Sequence, residues 1–541
     1  MPVDLPDTIA AAARLIEARE LSPLELVNGL LQRIELIDPV INAFITVTAE
    51  QAIAQARLAE SEISHGHYRG ALHGIPFGLK DTYETVGIRT TGHSKAYAKN
   101  ISSANASVVD KLYAAGAILL GKLATHELAH GGPSFDLPWP PARNPWNPKH
   151  FTGGSSSGSA AAVAGGLVLA ALGSDTGGSI RTPASLCGLV GMKPTFGLIS
   201  RHGVIPNSFS LDHCGPLAHT VEDCAILLDA IVGYDSRDQS STRGPQQNFR
   251  AALRLDLKDV RIGVVRQFGA EEAAGNDELR SATGEALRVL EKLGARLHDV
   301  RLRPLSDYFD VWTLIEEPET FAIQRQQLIE RPQDFGWVFL ERTLIGCLIQ
   351  GADYVQAQQE RSRMLSEMQS ALADCDVLVT PGAGPAPMLA PSLAVWPNPN
   401  RFVPFALTGN PALVVCTGFS RAGLPLSMQL VGKPFNDAQV LGIAHAYERA
   451  VGWSQRRAVV SPAARPAPIT HSAPVLALSA MDPKIVERCA HAAQSAGLRL
   501  DDQHFALLCN AAPRLLEMID RVRGWQQPPM EPANVFIPRS V

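Results

Sequence analysis

Two glycine-rich clusters, Gly153-Gly154-Ser155-Ser156-Ser157-Gly158-Ser159 and Gly173-Ser174-Asp175-Thr176-Gly177-Gly178-Ser179-Ile180-Arg181, place serine hydroxyls on either side of an apolar run. A hydroxyl is a poor nucleophile until a base removes its proton. Lys80 is the candidate base. It ends the stretch His73-Gly74-Ile75-Pro76-Phe77-Gly78-Leu79-Lys80, whose apolar character, bounded by glycine and proline, predicts a buried strand. Burial disfavours an ammonium and draws its pKa from about 10.4 toward neutrality, which turns lysine into a usable base. The glycines meet a second need: they let backbone N–H groups approach the oxygen that becomes negative when a carbonyl is attacked, each donor contributing roughly 3–4 kcal/mol. The loop Thr176-Gly177-Gly178-Ser179 can hold a hydroxyl and such amides together.

Glycine and serine also make flexible linkers. The flanks argue against that reading, because Ala160 to Leu172 is a continuous run of small apolar residues that predicts a buried helix and strand. From about residue 70 to 230, short apolar strands alternate with alanine-rich helices, the pattern of a layered α/β sheet. Upstream, Ser22-Pro23-Leu24-Glu25 combines an N-cap, proline at the first helical position and a capping-box glutamate, with Val27, Leu30, Leu31 and Ile34 along one face. Helices around Leu305 to Glu330 and Phe335 to Asp374 are expected to line a substrate pocket. Ser461 to Pro474 is rich in proline, alanine and serine and reads as a semi-rigid linker. Beyond it, Ile485, Cys489, Ala492 and Ala496 recur at helical spacing, and an Asp501-Asp502 start leads to Phe505, Leu508, Ala512, Leu515, Ile519 and Val522. Glu531 to Pro538 is expected to lie extended over another surface. A helix pair of this size buries too little to stand alone.

Three other motifs compete for attention. His126-Glu127-Leu128-Ala129-His130 is a literal H-E-x-x-H zinc pattern, but Gly131, Gly132 and Pro133 stop any helix at the second histidine. Gly116 to Leu123 follows P-loop spacing until Leu123, which lacks the hydroxyl that magnesium needs. Gly154-Ser155-Ser156-Ser157-Gly158 is a formal nucleophile elbow centred on Ser156, yet loop residues Arg143 to Pro148 precede it where a strand is required.

Composition excludes some classes. A net charge of −5 and a pI near 6.3, with no polybasic tract, leave no footprint for nucleic acid. No uninterrupted apolar stretch of about 18 residues occurs, and the first residues carry Asp4 and Asp7 in place of a basic leader, so a cytoplasmic location is expected. The 8 cysteines are scattered without CxxC pairs, which fits reduced thiols.

Lys80, Ser155 and Ser179, at these spacings, resemble the Ser–cis-Ser–Lys set of the amidase signature family. The likeness is strong over residues 60 to 230 and continues to about 456 through Asp376 to Pro381 and Gly423 to Gly432. It implies an α/β amidase signature fold, a large mixed β-sheet covered by helices on both faces, here with a small C-terminal helical unit. The chain divides into a helical lead-in (1–69), the catalytic domain (70–456), a Pro/Ala-rich linker (457–476) and a small tail (477–541). The resemblance makes Ser179 the nucleophile, Ser155 the bridging serine on a cis peptide after Gly154, and Lys80 the base. Thr176, Gly177 and Gly178 become the oxyanion hole, and Asp175 and Arg181 the charged pair that fixes the loop. Ala129, Gly131, Trp312, Ile315 and Glu316 are candidate substrate contacts. No metal or organic cofactor is implied. The expected partners are a small-molecule amide or urea-like substrate and a second copy in a homodimer, with no nucleic acid or membrane.

The function expected is hydrolysis of a C–N bond in a carboxamide, carbamoyl or urea-like molecule through an acyl-enzyme on Ser179. The tail resembles the small C-type component of tRNA-dependent amidotransferases and the small partner of carboxybiuret hydrolase; a helical dimerisation hairpin is the plainer reading. An alternative follows from the first likeness: a glutamine-hydrolysing, A-type component of an amidotransferase, fused to a C-like tail. Ser157 and the wording His126-Glu127-Leu128-Ala129 resemble the stand-alone hydrolases instead. A non-enzymatic scaffold would require Ser179 and Lys80 to be relics, although the set is intact.

Overall fold

The structure, a computed structural model, describes residues 5–268, 276–390, 400–469, 473–525 and 530–532. Eleven strands form one mixed sheet: β1 (Phe44–Val47), β2 (Pro76–Lys80), β3 (Ile118–Leu123), β4 (Ala170–Asp175), β5 (Val190–Lys193), β6 (His213–Ala218), β7 (Arg261–Val264), β8 (Arg296–Asp299), β9 (Val377–Pro381), β10 (Ala412–Phe419) and β11 (Pro425–Gly432). Their spatial order is β1-β3-β2-β4-β6-β5-β10-β11-β9-β7-β8. Strand β2 runs parallel to both neighbours, β3 and β4, and all five of its residues are buried. A strand paired on both edges within a covered sheet shows no alternation, which is why its sequence reads as an unbroken apolar run.

The helices among the described residues are α1 (Ile9–Glu17), α2 (Pro23–Ile41), α3 (Ala49–Ser64), α4 (Ser107–Ala114), α5 (Ser157–Ala164), α6 (Arg181–Cys187), α7 (Val221–Ile231), α8 (Asp277–Lys292), α9 (Leu305–Glu330), α10 (Trp337–Thr343), α11 (Gly351–Leu372), α12 (Val403–Leu407), α13 (Asp437–Val451), α14 (Pro483–Ala496) and α15 (Asp502–Arg523). Helix α2 starts at the expected capping box: the Ser22 hydroxyl accepts from Leu24 and Glu25, and the Glu25 carboxylate reaches back to the Ser22 amide. Helix α5 is buried along its whole length. Its glycine, alanine and serine side chains let it sit hard against its neighbours, and a Cβ on Gly158 would meet Ala124 N at 2.3 Å and Ala43 O at 2.4 Å.

The run Phe335 to Asp374 departs from expectation. It is broken into α10, a 3₁₀ turn (Leu344–Leu348) and α11. The break lies where Gly346 approaches α9 so closely that a Cβ would sit 2.7 Å from Glu317 O.

One apolar core surrounds the sheet, and a second lies among the helices of the 305–372 region. The tail joins the second. Helix α14 begins at an Asp482 cap followed by Pro483 and ends at left-handed Gly497; α15 begins at an Asp501 cap. Leu508, Ala512, Leu515, Ile519 and Val522 are buried in that second core, where α15 packs on α9, α10 and α11. The extended end expected over Glu531 to Pro538 lies, beyond residue 532, outside the described residues.

Candidate active site

Parallel pairing of β2 with β4 brings their C-terminal ends together, and α5 begins at that same end before the chain returns to the start of β4. Lys80 therefore meets both serine clusters. Its Nζ donates to Ser155 Oγ at 2.6 Å and to Ser174 Oγ at 2.8 Å, and the side chain is fully buried. Burial lowers its pKa to about 7, against the pull of Asp212 and Asp175. The Gly154–Ser155 peptide is cis, as the resemblance implied. Ser156, the centre of the apparent elbow, is a fastener: its Oγ donates to Ser174 O at 3.1 Å and accepts from Ser174 N at 3.2 Å, and its amide donates to Ser179 O at 3.1 Å.

The loop after β4 is tied by charge. Asp175 receives Arg181 Nε at 3.0 Å and Nη2 at 2.9 Å, together with the amides of Gly178 at 2.7 Å and Ile180 at 3.1 Å. Burial would raise the Asp175 pKa, but Arg181 outweighs it and holds the carboxyl well below the usual range. One expectation changes here. The Gly178 N–H, counted as an oxyanion donor, is committed to Asp175, because the turn that presents Ser179 folds that amide back onto the carboxylate.

Ser155 and Ser179 line one cavity of about 320 Å³ with Ala129, Gly131, Trp312 and Glu316, four of the five substrate contacts expected from sequence. Ile315, the fifth, is fully buried in the second core and is not among the lining residues. It stands about 100° round the helix from Glu316, whereas Trp312 and Glu316, four residues apart, share a face. The indole Nε1 of Trp312 donates to Thr176 O at 3.1 Å, tying α9 to the loop.

The H-E-x-x-H histidines stand on no α-helix: Glu127–Ala129 is a 3₁₀ turn in which Leu128 has a φ of 48°. His126 Nδ1 lies 3.1 Å from Gly131 O, an acceptor, so that nitrogen carries the proton. Burial takes the His126 pKa down to about 3. His130 meets Glu317 at 3.1 Å and Glu316 at 3.7 Å. Its burial opposes a charge, yet Glu317 and Glu316 raise its pKa to about 9. Arg342 pairs with both carboxylates. His130, Glu316 and Glu317 have ligand atoms within 4.8 Å of one another, a metal-like grouping, and Arg342 already supplies both carboxylates with a cation. Sequence reasoning gave no individual role to Ser174 or Arg342, and weighed His130 as the second histidine of a zinc pattern and not as a partner of Glu316 and Glu317. The position of Ser174 on a strand ending beside Lys80 was the available signal; Arg342 emerges only from the packing of α10 on α9. In the P-loop-like stretch, Lys122 is buried against Asp81 at 3.1 Å.

A buried lysine of lowered pKa, bonded to a serine hydroxyl beside a glycine-rich loop and an open cavity, is an arrangement suited to a hydrolase. Comparison gives that class its family: the amidase family model matches residues 25–441, and the chain belongs to the amidase signature family. The A-type component of glutamyl-tRNA(Gln) amidotransferase from Thermosynechococcus vestitus is 36% identical over 473 residues, covering 82% of this chain and 98% of that protein. Among solved structures, a chain from a vestigial protein complex bearing on the origins of an s-triazine catabolic enzyme superposes with a TM-score of 0.77 at 31% identity, covering 82% of this chain and 98% of its own. The peptide amidase of Stenotrophomonas maltophilia does so at 0.73 with 29% identity, covering 83% and 97%. The match to the family model ends before the linker and tail. No helix among the described residues is long and apolar enough to cross a membrane.

Proposed function

We propose that the protein hydrolyses a neutral small-molecule amide or urea-like compound through an acyl-enzyme on Ser179. The observation that carries this reading is Lys80, buried, shifted to about 7 and 2.6 Å from Ser155 Oγ at the edge of the cavity that Ser179 also lines. Ser179 Oγ attacks the carbonyl carbon; its proton passes to Ser155 as the Ser155 proton passes to Lys80. The oxyanion is received by the loop amides of Gly177 and Ser179, with Thr176 at the loop's start. As the tetrahedral adduct collapses the C–N bond breaks, and the relay returns the proton to the leaving nitrogen. Water then attacks the ester by the same route and frees Ser179. Asp175 and Arg181 hold the loop, and protein groups suffice for every step.

Substrate charge is argued from the pocket. His130, Arg342, Glu316 and Glu317 form a mutually compensating cluster, which leaves a wall suited to a neutral polar molecule. The curated relatives favour the second reading, glutamine hydrolysis by the A-type component of an amidotransferase, since the chain covers nearly their whole length at about a third identity. The s-triazine-related neighbour favours the first. In this proposal the tail (477–541), beyond the linker 457–476, acts as a built-in small partner, the lead-in 1–69 contributes β1 to the sheet of the 70–456 domain, and the chain works as a homodimer. The test is a panel of carboxamides, ureas, carbamates and glutamine, with intact-protein mass spectrometry to weigh the adduct. An adduct lost in Ser179→Ala supports the mechanism, and strong preference for glutamine overturns the first reading in favour of the second.

A further inference from the structure

Arg521, on the tail helix α15, reaches across to α9, the helix that walls the pocket. Its Nε and Nη2 donate to the two oxygens of Asp310 at 2.7 and 2.9 Å, the paired geometry a guanidinium makes with a carboxylate. Asp310 is only 2% exposed and lies two residues before Trp312 on α9. Trp312 holds Thr176 O, and its ring fills the space where a Cβ on Gly177 would sit, 2.6 Å from Trp312 Cζ2. A second contact runs in parallel. Asn510 Nδ2 donates to the buried Glu341 at 2.7 Å, and the next residue, Arg342, pairs with Glu316 and Glu317 and lies over the Trp312 ring at 5.9 Å.

We propose that α15 is a brace for the reaction loop: Arg521 and Asn510 are positioning residues, Arg521 acting through Asp310 and Trp312 on Thr176–Ser179, Asn510 through Glu341 on the Arg342 wall. The inference rests on the role given above to that loop. A general anchor would hold the tail without favouring the pocket, and the same helix provides the comparison. Arg523 makes an equivalent two-bond pair with buried Asp353 of α11, at 2.7 and 3.0 Å, and no residue of α11 lines the cavity. Removing Arg523 therefore removes the same kind of contact while sparing the route to Trp312.

Hydrogen–deuterium exchange on the full-length protein tests this without reference to turnover, so the result is separate from the fate of the Ser179 assignment. In Arg521→Met the peptide covering Ser174 to Ile180 is expected to exchange roughly fivefold or more faster, as a weakened buried pair makes local opening easier. In Arg523→Met that peptide keeps its wild-type rate, and Arg521→Lys, which keeps charge but loses the fork, falls between. An unchanged loop in Arg521→Met, or equal loosening in Arg523→Met, overturns the proposal. If Arg521→Met does not fold, Arg521→Lys decides: faster exchange confined to α9 and the loop supports the brace, and a wild-type pattern overturns it.

Discussion

Lys80 carries a lowered pKa because a buried ammonium has lost its hydration, and the two hydroxyls it touches recover only part of that loss. The sign of the pH dependence follows. Below about 7 the amine is protonated and cannot accept a proton, so kcat/KM should climb with pH through about 7. Lys80→Arg, protonated at every accessible pH, should stay inactive even at high pH; recovery at alkaline pH would remove the lysine from the role of base. Ser179→Ala should lose activity on the order of 10⁵–10⁶-fold while keeping its melting temperature. At this scale the sequence was informative where chemistry is local: Lys80, Ser155 and Asp175 with Arg181 stand where their residue types require. It was silent on the direction of a single amide, hence Gly178, and on helical phase, hence Ile315.

Elements decide whether those groups meet. Helix α5 places Ser155 within reach of Lys80 only because its small side chains allow close packing and Ser156 pins it to β4. Ser156→Ala leaves a buried N–H and C=O of Ser174 without that partner, a cost of about 1–3 kcal/mol, and should lower the melting temperature by a few degrees. It should also reduce kcat, since Ser174 holds Lys80; unchanged kcat with a lowered melting temperature would confine Ser156 to stability. Caps were legible, as at Ser22 and Asp501, since they are written in adjacent residues. The break of the 335–374 run was not, because it arises from the contact of Gly346 with a helix that lies earlier in the chain.

Across the whole molecule, buried carboxyls set the response of stability to pH. Glu448 of α13 accepts the Val221 amide at the start of α7, and burial, with Asp223 beside it, raises its pKa from 4.5 to about 8. A carboxyl protonated in the fold and ionised when unfolded costs stability as pH rises between those values. Glu448→Gln keeps the acceptor and removes the titration. Its advantage in melting temperature over wild type should be smallest in acid, below the ordinary glutamate pKa, grow toward pH 8 and then level off; a pH-independent difference would show that Glu448 is charged in the fold. The α/β layering was legible from alternating strands and helices, but the joining of the tail to the second core was not, because sequence periodicity shows a face and not its partner.

That shared second core has one more consequence. Ser461–Arg465 are exposed, while the apolar face of α15 is sealed against α9, α10 and α11. Ser461–Arg465 is the exposed link, and the buried face of α15 is a fastening. A single nick engineered at that link should yield two polypeptides that travel together through gel filtration and part only in denaturant, so that the product of one gene would behave as a complex of two kinds of chain.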